Sequence, residues 1–205
     1  MDKLLNPSDG VIDGDAVKDM IFPTDGTEFT KFDIFISHSH NDRHAAEALA
    51  KYLRSIGREP FLDNYVWSSA DDLLKEIDER WCKTDDGKYY DYNKRNFSTS
   101  HVHTMLSMAI LEMIARCESF IFIDSYESLD YSEFKETGVS TLSPWLYQEL
   151  QYVRMLSTVQ QPIIEQREFS DIRDSLKIKY GAELTDFTEL TATNIYRLFS
   201  KRRII

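Results

Sequence analysis

Apolar positions follow two rhythms along this chain, and the switches between them mark its elements. Phe32–Ser37 is dense in apolar side chains and runs directly into a polar stretch, Ser37-His-Ser-His-Asn-Asp42. A short continuous apolar run bounded by polar residues reads as a buried strand. From His44 to Ile56 the spacing changes to three and four, through Ala45, Leu49, Tyr52, Leu53 and Ile56, and Gly57 supplies a natural helix stop. Pro60-Phe-Leu-Asp63 predicts a second short strand. Ala70–Trp81 predicts a helix with Leu73, Leu74 and Ile77 on one side. Lys83–Phe97, polar and aromatic, predicts an inserted loop. His101–Cys117 then repeats apolar residues at three and four, with Ser98-Thr-Ser100 as its expected N-cap. Ser119–Asp124 predicts the third strand, and Pro144 suits the first turn of a helix over Trp145–Leu156. Gln161–Ile164 and Ile178–Phe187 each suit a strand, and Thr193–Arg202 suits a closing helix with a basic last turn. Strands alternating with helices imply a parallel sheet wrapped by helices. Residues 1–30, punctuated by Pro, Gly and Asp, read as an arm, and 31–205 as one domain with an insertion at about 67–100.

Composition narrows the function classes. At 205 residues and 24.0 kDa, with 42% hydrophobic residues, the chain suits a single core of ordinary size. A net charge of -11 and a pI near 4.9 argue against a nucleic-acid partner or an anionic membrane surface. Cys82 and Cys117 are too few and too far apart for a disulfide scaffold or a Cys-x-x-Cys metal site, so both are expected as thiols of a reducing, cytoplasmic protein. The first ten residues lack the apolar core of a signal peptide. The densest apolar run, Phe120–Ile123, is far below a membrane span.

Three constellations carry candidate chemistry. His38-Ser-His40-Asn-Asp42 after a strand is similar to the metal loop of metallo-β-lactamase-like hydrolases. That loop, however, wants His directly after the Asp, and Arg43 stands there before His44. His101 and His103 alternate and so do not share a helix face; no metal is expected. Ser37, His38, Ser39 and Asn41 form the second constellation: hydroxyls and an amide beyond a strand end, followed by a helix N-terminus, suit a polar ligand. There is no Gly-x-Gly-x-x-Gly and no phosphate-loop lysine to specify a dinucleotide.

Trp145 and Glu149 are the sharper pair, four apart at the start of a helix and therefore on one face. Taken alone, a helical Trp is core packing and a helical Glu is solvated. The helix follows a long loop after the third strand, so its start can lie beside the loop after the first. Glu149 would then reach Ser37 and His38, with Trp145 as a stacking plate. A carboxylate in that place can hydrogen-bond ribose hydroxyls and stabilise the oxocarbenium-like charge left when NAD loses nicotinamide. Nicotinamide leaves from a pyridinium nitrogen and needs no general acid, so one carboxylate suffices.

These segments, in order, resemble a TIR domain. Lys31–Asp42 resembles the family's first strand and loop, and Glu59-Pro-Phe-Leu-Asp63 the second strand, whose Asp opens the BB loop. Ser119–Ser125 resembles the third strand with its serine. Ser143-Pro-Trp-Leu-Tyr-Gln-Glu-Leu150 matches the Ser-x-Trp-x-x-x-Glu-Leu element, whose Glu is catalytic in NAD-cleaving members. The likeness covers about Phe32 to Leu156. Trp67–Ser100 is longer than the usual BB loop and second helix, and the last strand and helix match loosely.

The resemblance implies an α/β, flavodoxin-like parallel sheet with helices on both faces and an insertion after the second strand. It also implies Glu149 as catalytic residue, Trp145 as a base-stacking wall, and Ser37, His38, Ser39 and Asp63 as substrate-binding residues, with NAD as substrate rather than cofactor. An acidic stand-alone chain of this kind looks most like the bacterial anti-phage defence (Thoeris-like) type. Such members self-associate through TIR surfaces and make ADP-ribose-derived signals that activate a separate effector. A non-catalytic TIR interaction module is the alternative. A further one is a flavodoxin-like nucleotide hydrolase or deoxyribosyltransferase, in which the carboxylate is a covalent nucleophile.

Overall fold

The computed structural model describes residues 13–14, 32–62, 64–131, 139–157, 163–167, 180–182, 184, 187–191 and 194–199. In chain order the elements are β1 (Ile34–Ser37), α1 (Arg43–Ser55), β2 (Pro60–Leu62), α2 (Asn64–Trp81), α3 (Tyr92–Arg116) and β3 (Ser119–Ser125). There follow β4 (Ser140–Thr141), α4 (Pro144–Ser157), β5 (Ile163–Arg167), β6 (Tyr180–Gly181), β7 (Thr188–Glu189) and α5 (Ile195–Phe199). The chain is thus mixed α/β. Five strands form a parallel sheet in the order β2-β1-β3-β5-β7, and β4 pairs with β6 as a small antiparallel ribbon.

The strand order is consistent with the flavodoxin-like kind of open sheet, in which the chain steps outward from a first strand to both edges. β1 is an interior strand: Ile36 lies opposite Leu62 of β2 and Ile121 of β3. Alternation along β1 divides its side chains between two faces. Ile34 and Ile36 join Ala46, Ala50 and Leu53 of α1, Leu62, Ile121, Leu190, and Ile195 and Phe199 of α5 in one buried cluster. On the other face Phe35 stands between Phe61 at 5.4 Å and Phe120 at 5.5 Å, the latter stacked. Ser37 shares that face, and its contact with Glu149 puts α4 there. Helices therefore cover both faces of the sheet.

Two compact units can be distinguished, Met1–Lys31 with Asn64–Glu112, and Phe32–Asp63 with Met113–Ile205. The sheet, α1, α4 and α5 belong to the second. No helix among the described residues is long and apolar enough to cross a membrane.

Local signals explain the helix ends. Gly57 N–H donates to Arg54 O at 3.0 Å and Arg58 N–H to Leu53 O at 3.0 Å, with Gly57 at φ +82°. That is a Schellman cap, and its left-handed residue favours glycine. α4 starts as the sequence predicts, with Pro144 at its first position and Ser143 Oγ accepting from Leu146 N–H at 3.3 Å.

The middle of the chain departs from the reading of its sequence. α2 begins at Asn64 rather than Ala70, and α3 begins at Tyr92 rather than His101. The predicted loop Lys83–Phe97 therefore shrinks to a turn, closed by a Lys83–Tyr90 bridge and by Gly87 at φ +68°. Asp91 is the real cap of α3, its Oδ1 accepting from Lys94 N–H at 2.9 Å. Ser98 and Ser100 lie inside the helix instead, and Ser100 Oγ returns to Asn96 O at 2.7 Å. β7, which closes one edge of the sheet, is not anticipated by the sequence. Of the predicted closing helix, Ile195–Phe199 is described; the arm at 1–30 lies almost wholly outside the described residues.

Candidate functional site at the carboxyl end of the sheet

β1 ends in Ser37, whose Oγ donates to Glu149 Oε2 at 2.5 Å, a bond wholly buried between residues 112 apart in sequence. Glu149 is 0% exposed. It reaches this depth because α4 carries Leu146, Leu150 and Val153 on its buried stripe, and Glu149 falls on the same side. The start of α4 is itself anchored. Thr141 Oγ1 donates to Ser128 O at 2.8 Å and accepts from Ser143 N–H at 3.1 Å, which ties β4 to the loop after β3.

His38 is 5% exposed, with ring Nδ1 3.4 Å from the Ile36 carbonyl. Ser39 turns to its own loop: its Oγ accepts from Asp42 N–H at 3.2 Å and donates to Asp42 Oδ2 at 2.5 Å. Asp42 Oδ2 also accepts from Ser125 Oγ at 2.6 Å. Ser125 Oγ in turn accepts from the N–H groups of Glu127 at 3.1 Å and Ser128 at 3.2 Å. Asn41 Nδ2 donates to Glu127 Oε2 at 2.6 Å. The ends of adjacent strands β1 and β3 are thus stitched together by short polar side chains. This is the edge of an open α/β sheet where ligands bind.

Beside the stitch lies Asp124, 3% exposed, accepting from Tyr131 OH at 2.5 Å on both carboxylate oxygens. Burial pushes its carboxyl up to about 6, against the hydrogen bond from Tyr131, and the charge of Asp42 adds to the rise.

The structure brings Ser37 and Glu149 into contact, with His38 next along the chain. Trp145 is half-buried and stands one turn before Glu149 on α4. Asp63 lies outside the described residues. His40 and His44 are exposed, and among the described residues no three His, Cys, Asp or Glu side chains gather as metal ligands. Sequence reasoning weighed Asp42 only as part of a metal loop and did not single out Asp124, Ser125, Ser128 or Tyr131 for the site. The Ser39-x-x-Asp42 and Ser125-x-x-Ser128 spacings are those of local hydroxyl-capped turns, the one legible signal.

Chemically, a carboxylate removed from water is a strong acceptor for a hydroxyl and a strong stabiliser of nearby positive charge. Scans against protein-family models, curated proteins and solved structures each find no match for this chain.

Proposed function

We propose that this chain is an NAD-cleaving enzyme of TIR type, an NAD glycohydrolase or ADP-ribosyl cyclase, with Glu149 as its catalytic carboxylate. One observation carries the reading: a buried acid on α4 meets the last residue of the interior strand β1, Ser37 Oγ to Glu149 Oε2 at 2.5 Å. A hydroxyl already occupies the acceptor that a ribose hydroxyl would use. Substrate entry exchanges the one for the other.

The bond from ribose C1′ to the pyridinium nitrogen then breaks, and its electron pair leaves with neutral nicotinamide. Glu149 stabilises the positive charge that develops on the ribose. Water adds to C1′ and loses a proton in the hydrolase; a nucleophilic atom of the same ADP-ribose adds in the cyclase. His38, Ser39 and Asp63 line the substrate and Trp145 stacks on it. NAD is the substrate, and no resident cofactor takes part. The product serves as an anti-phage defence signal to a separate effector, and self-association assembles the active form.

The test is NAD consumption by concentrated protein, wild type against Glu149→Gln, with products resolved by chromatography. The variant should lose about two to three orders of magnitude in nicotinamide release. Equal turnover in both would sink the assignment of Glu149. Trp145→Ala should raise KM at least as clearly as it lowers kcat.

The complete burial of Glu149 favours a second reading, in which the acid only pins α4 to β1 in a non-catalytic TIR interaction module. Absence of turnover in wild type at every protein concentration, together with concentration-dependent assembly in sedimentation, would select it.

A further inference from the structure

The unit made of Met1–Lys31 and Asn64–Glu112, which does not contain Glu149, has a cavity of its own. It measures about 740 Å³ and lies between the last turns of α2 and the first turns of α3. Small-molecule sites span about 300–1,000 Å³ and combine mostly apolar walls with a few polar groups. Here Ile77, Cys82, Ser98 and Val102 form a buried floor. At the mouth Trp81 and Phe97 remain 41% and 68% exposed, and the ring of Phe97 lies 4.3 Å from that of His101. Large aromatic rings left in water around an apolar hollow are surface that a flat ligand would cover.

The charge of the lining runs against that of the whole chain. The net charge is -11, yet among the described residues that line the cavity there is no carboxylate, whereas Lys94 and His101 are present. The buried acid behind the floor is already matched: Asp78 accepts from Ser98 Oγ at 2.8 Å and from Arg95 Nε at 2.8 Å. Lys94 Nζ reaches the Lys83 carbonyl at a long 3.4 Å, which engages one of its three donors. Gly14 lines the cavity, and a Cβ there would stand 3.3 Å from Met105 Sδ, a tight approach to another lining side chain.

We propose that this cavity is a ligand site for a flat aromatic anion, its rings between Trp81 and Phe97 and its acid group on Lys94 and His101. The inference is independent of NAD cleavage, since every residue it uses lies in the unit that lacks Glu149.

The probe is 1-anilinonaphthalene-8-sulfonate, titrated into the full-length protein, with neutral N-phenyl-1-naphthylamine as its uncharged counterpart. The sulfonate should bind one per chain and accept energy from tryptophan, and Trp81→Phe should remove the largest share of that transfer. Lys94→Gln combined with His101→Gln, both exposed changes, should weaken the sulfonate at least tenfold and leave the neutral probe unchanged. Circular dichroism confirms that the variants fold. Non-saturable binding, energy transfer untouched by Trp81→Phe, or equal weakening of both probes would each overturn the proposal.

Discussion

Asp124 shows how one buried side chain imposes a pH dependence on the fold. In an unfolded chain an aspartate titrates at about 3.9, whereas here burial lifts it to about 6. Between those values the folded state keeps a proton that the unfolded state has released. Stability therefore falls as pH rises from about 4 to about 6 and is level above, an effect on the order of 2–3 kcal/mol when complete. Asp124→Asn keeps an acceptor for Tyr131 and removes the charge. Urea denaturation should find the variant more stable than wild type at pH 7, with the advantage shrinking towards pH 4. A difference independent of pH would refute the assignment. Ser37 offers a second test at this scale. Ser37→Ala removes the donor to a buried carboxylate and should cost about 1.5–3 kcal/mol in the same measurement. A loss below about 0.5 kcal/mol, the scale of an ordinary surface change, would mean that the bond contributes nothing to holding α4.

At the scale of elements, helix ends separate what local sequence encodes from what it only suggests. Gly57 holds φ +82° with nothing within 4 Å of a would-be Cβ, so Gly57→Ala meets no clash and pays only in backbone conformation. The expected loss is about 1–2 kcal/mol by chemical denaturation. The two proposed starts of α3 can be told apart in the same way. Asp91→Ala should cost about 1 kcal/mol, the usual worth of an N-cap. Ser100→Ala should stay within about 0.5 kcal/mol, because its hydroxyl only returns to its own helix. The reverse order would restore the start suggested by Ser98-Thr-Ser100. That suggestion failed for a physical reason. Serines are good caps but are tolerated inside helices when their hydroxyls find a nearby carbonyl, as Ser100 does on Asn96 O at 2.7 Å.

At the scale of the whole molecule, both cysteines are buried, and burial drives the Cys117 thiol up to about 12 and raises that of Cys82 as well. An aromatic disulfide reagent should therefore leave Cys117 unlabelled at neutral pH until urea unfolds the chain, whereupon it reacts. Rapid labelling of Cys117 in the native protein would contradict that burial. The sequence by itself determined the elements whose signal is local: the apolar run of β1, the three-and-four spacing and glycine stop of α1, the proline start of α4, and with them a parallel α/β sheet. It also placed Trp145 and Glu149 on one helix face, and it named Ser37 as a neighbour of the acid. Only the tertiary structure decided which edge β7 closes, how Asp42 binds Ser125, and how deeply Glu149 and Asp124 are buried. Strand order, burial and cross-loop hydrogen bonds depend on residues far apart in the chain, and neither periodicity nor propensity carries information about such partners.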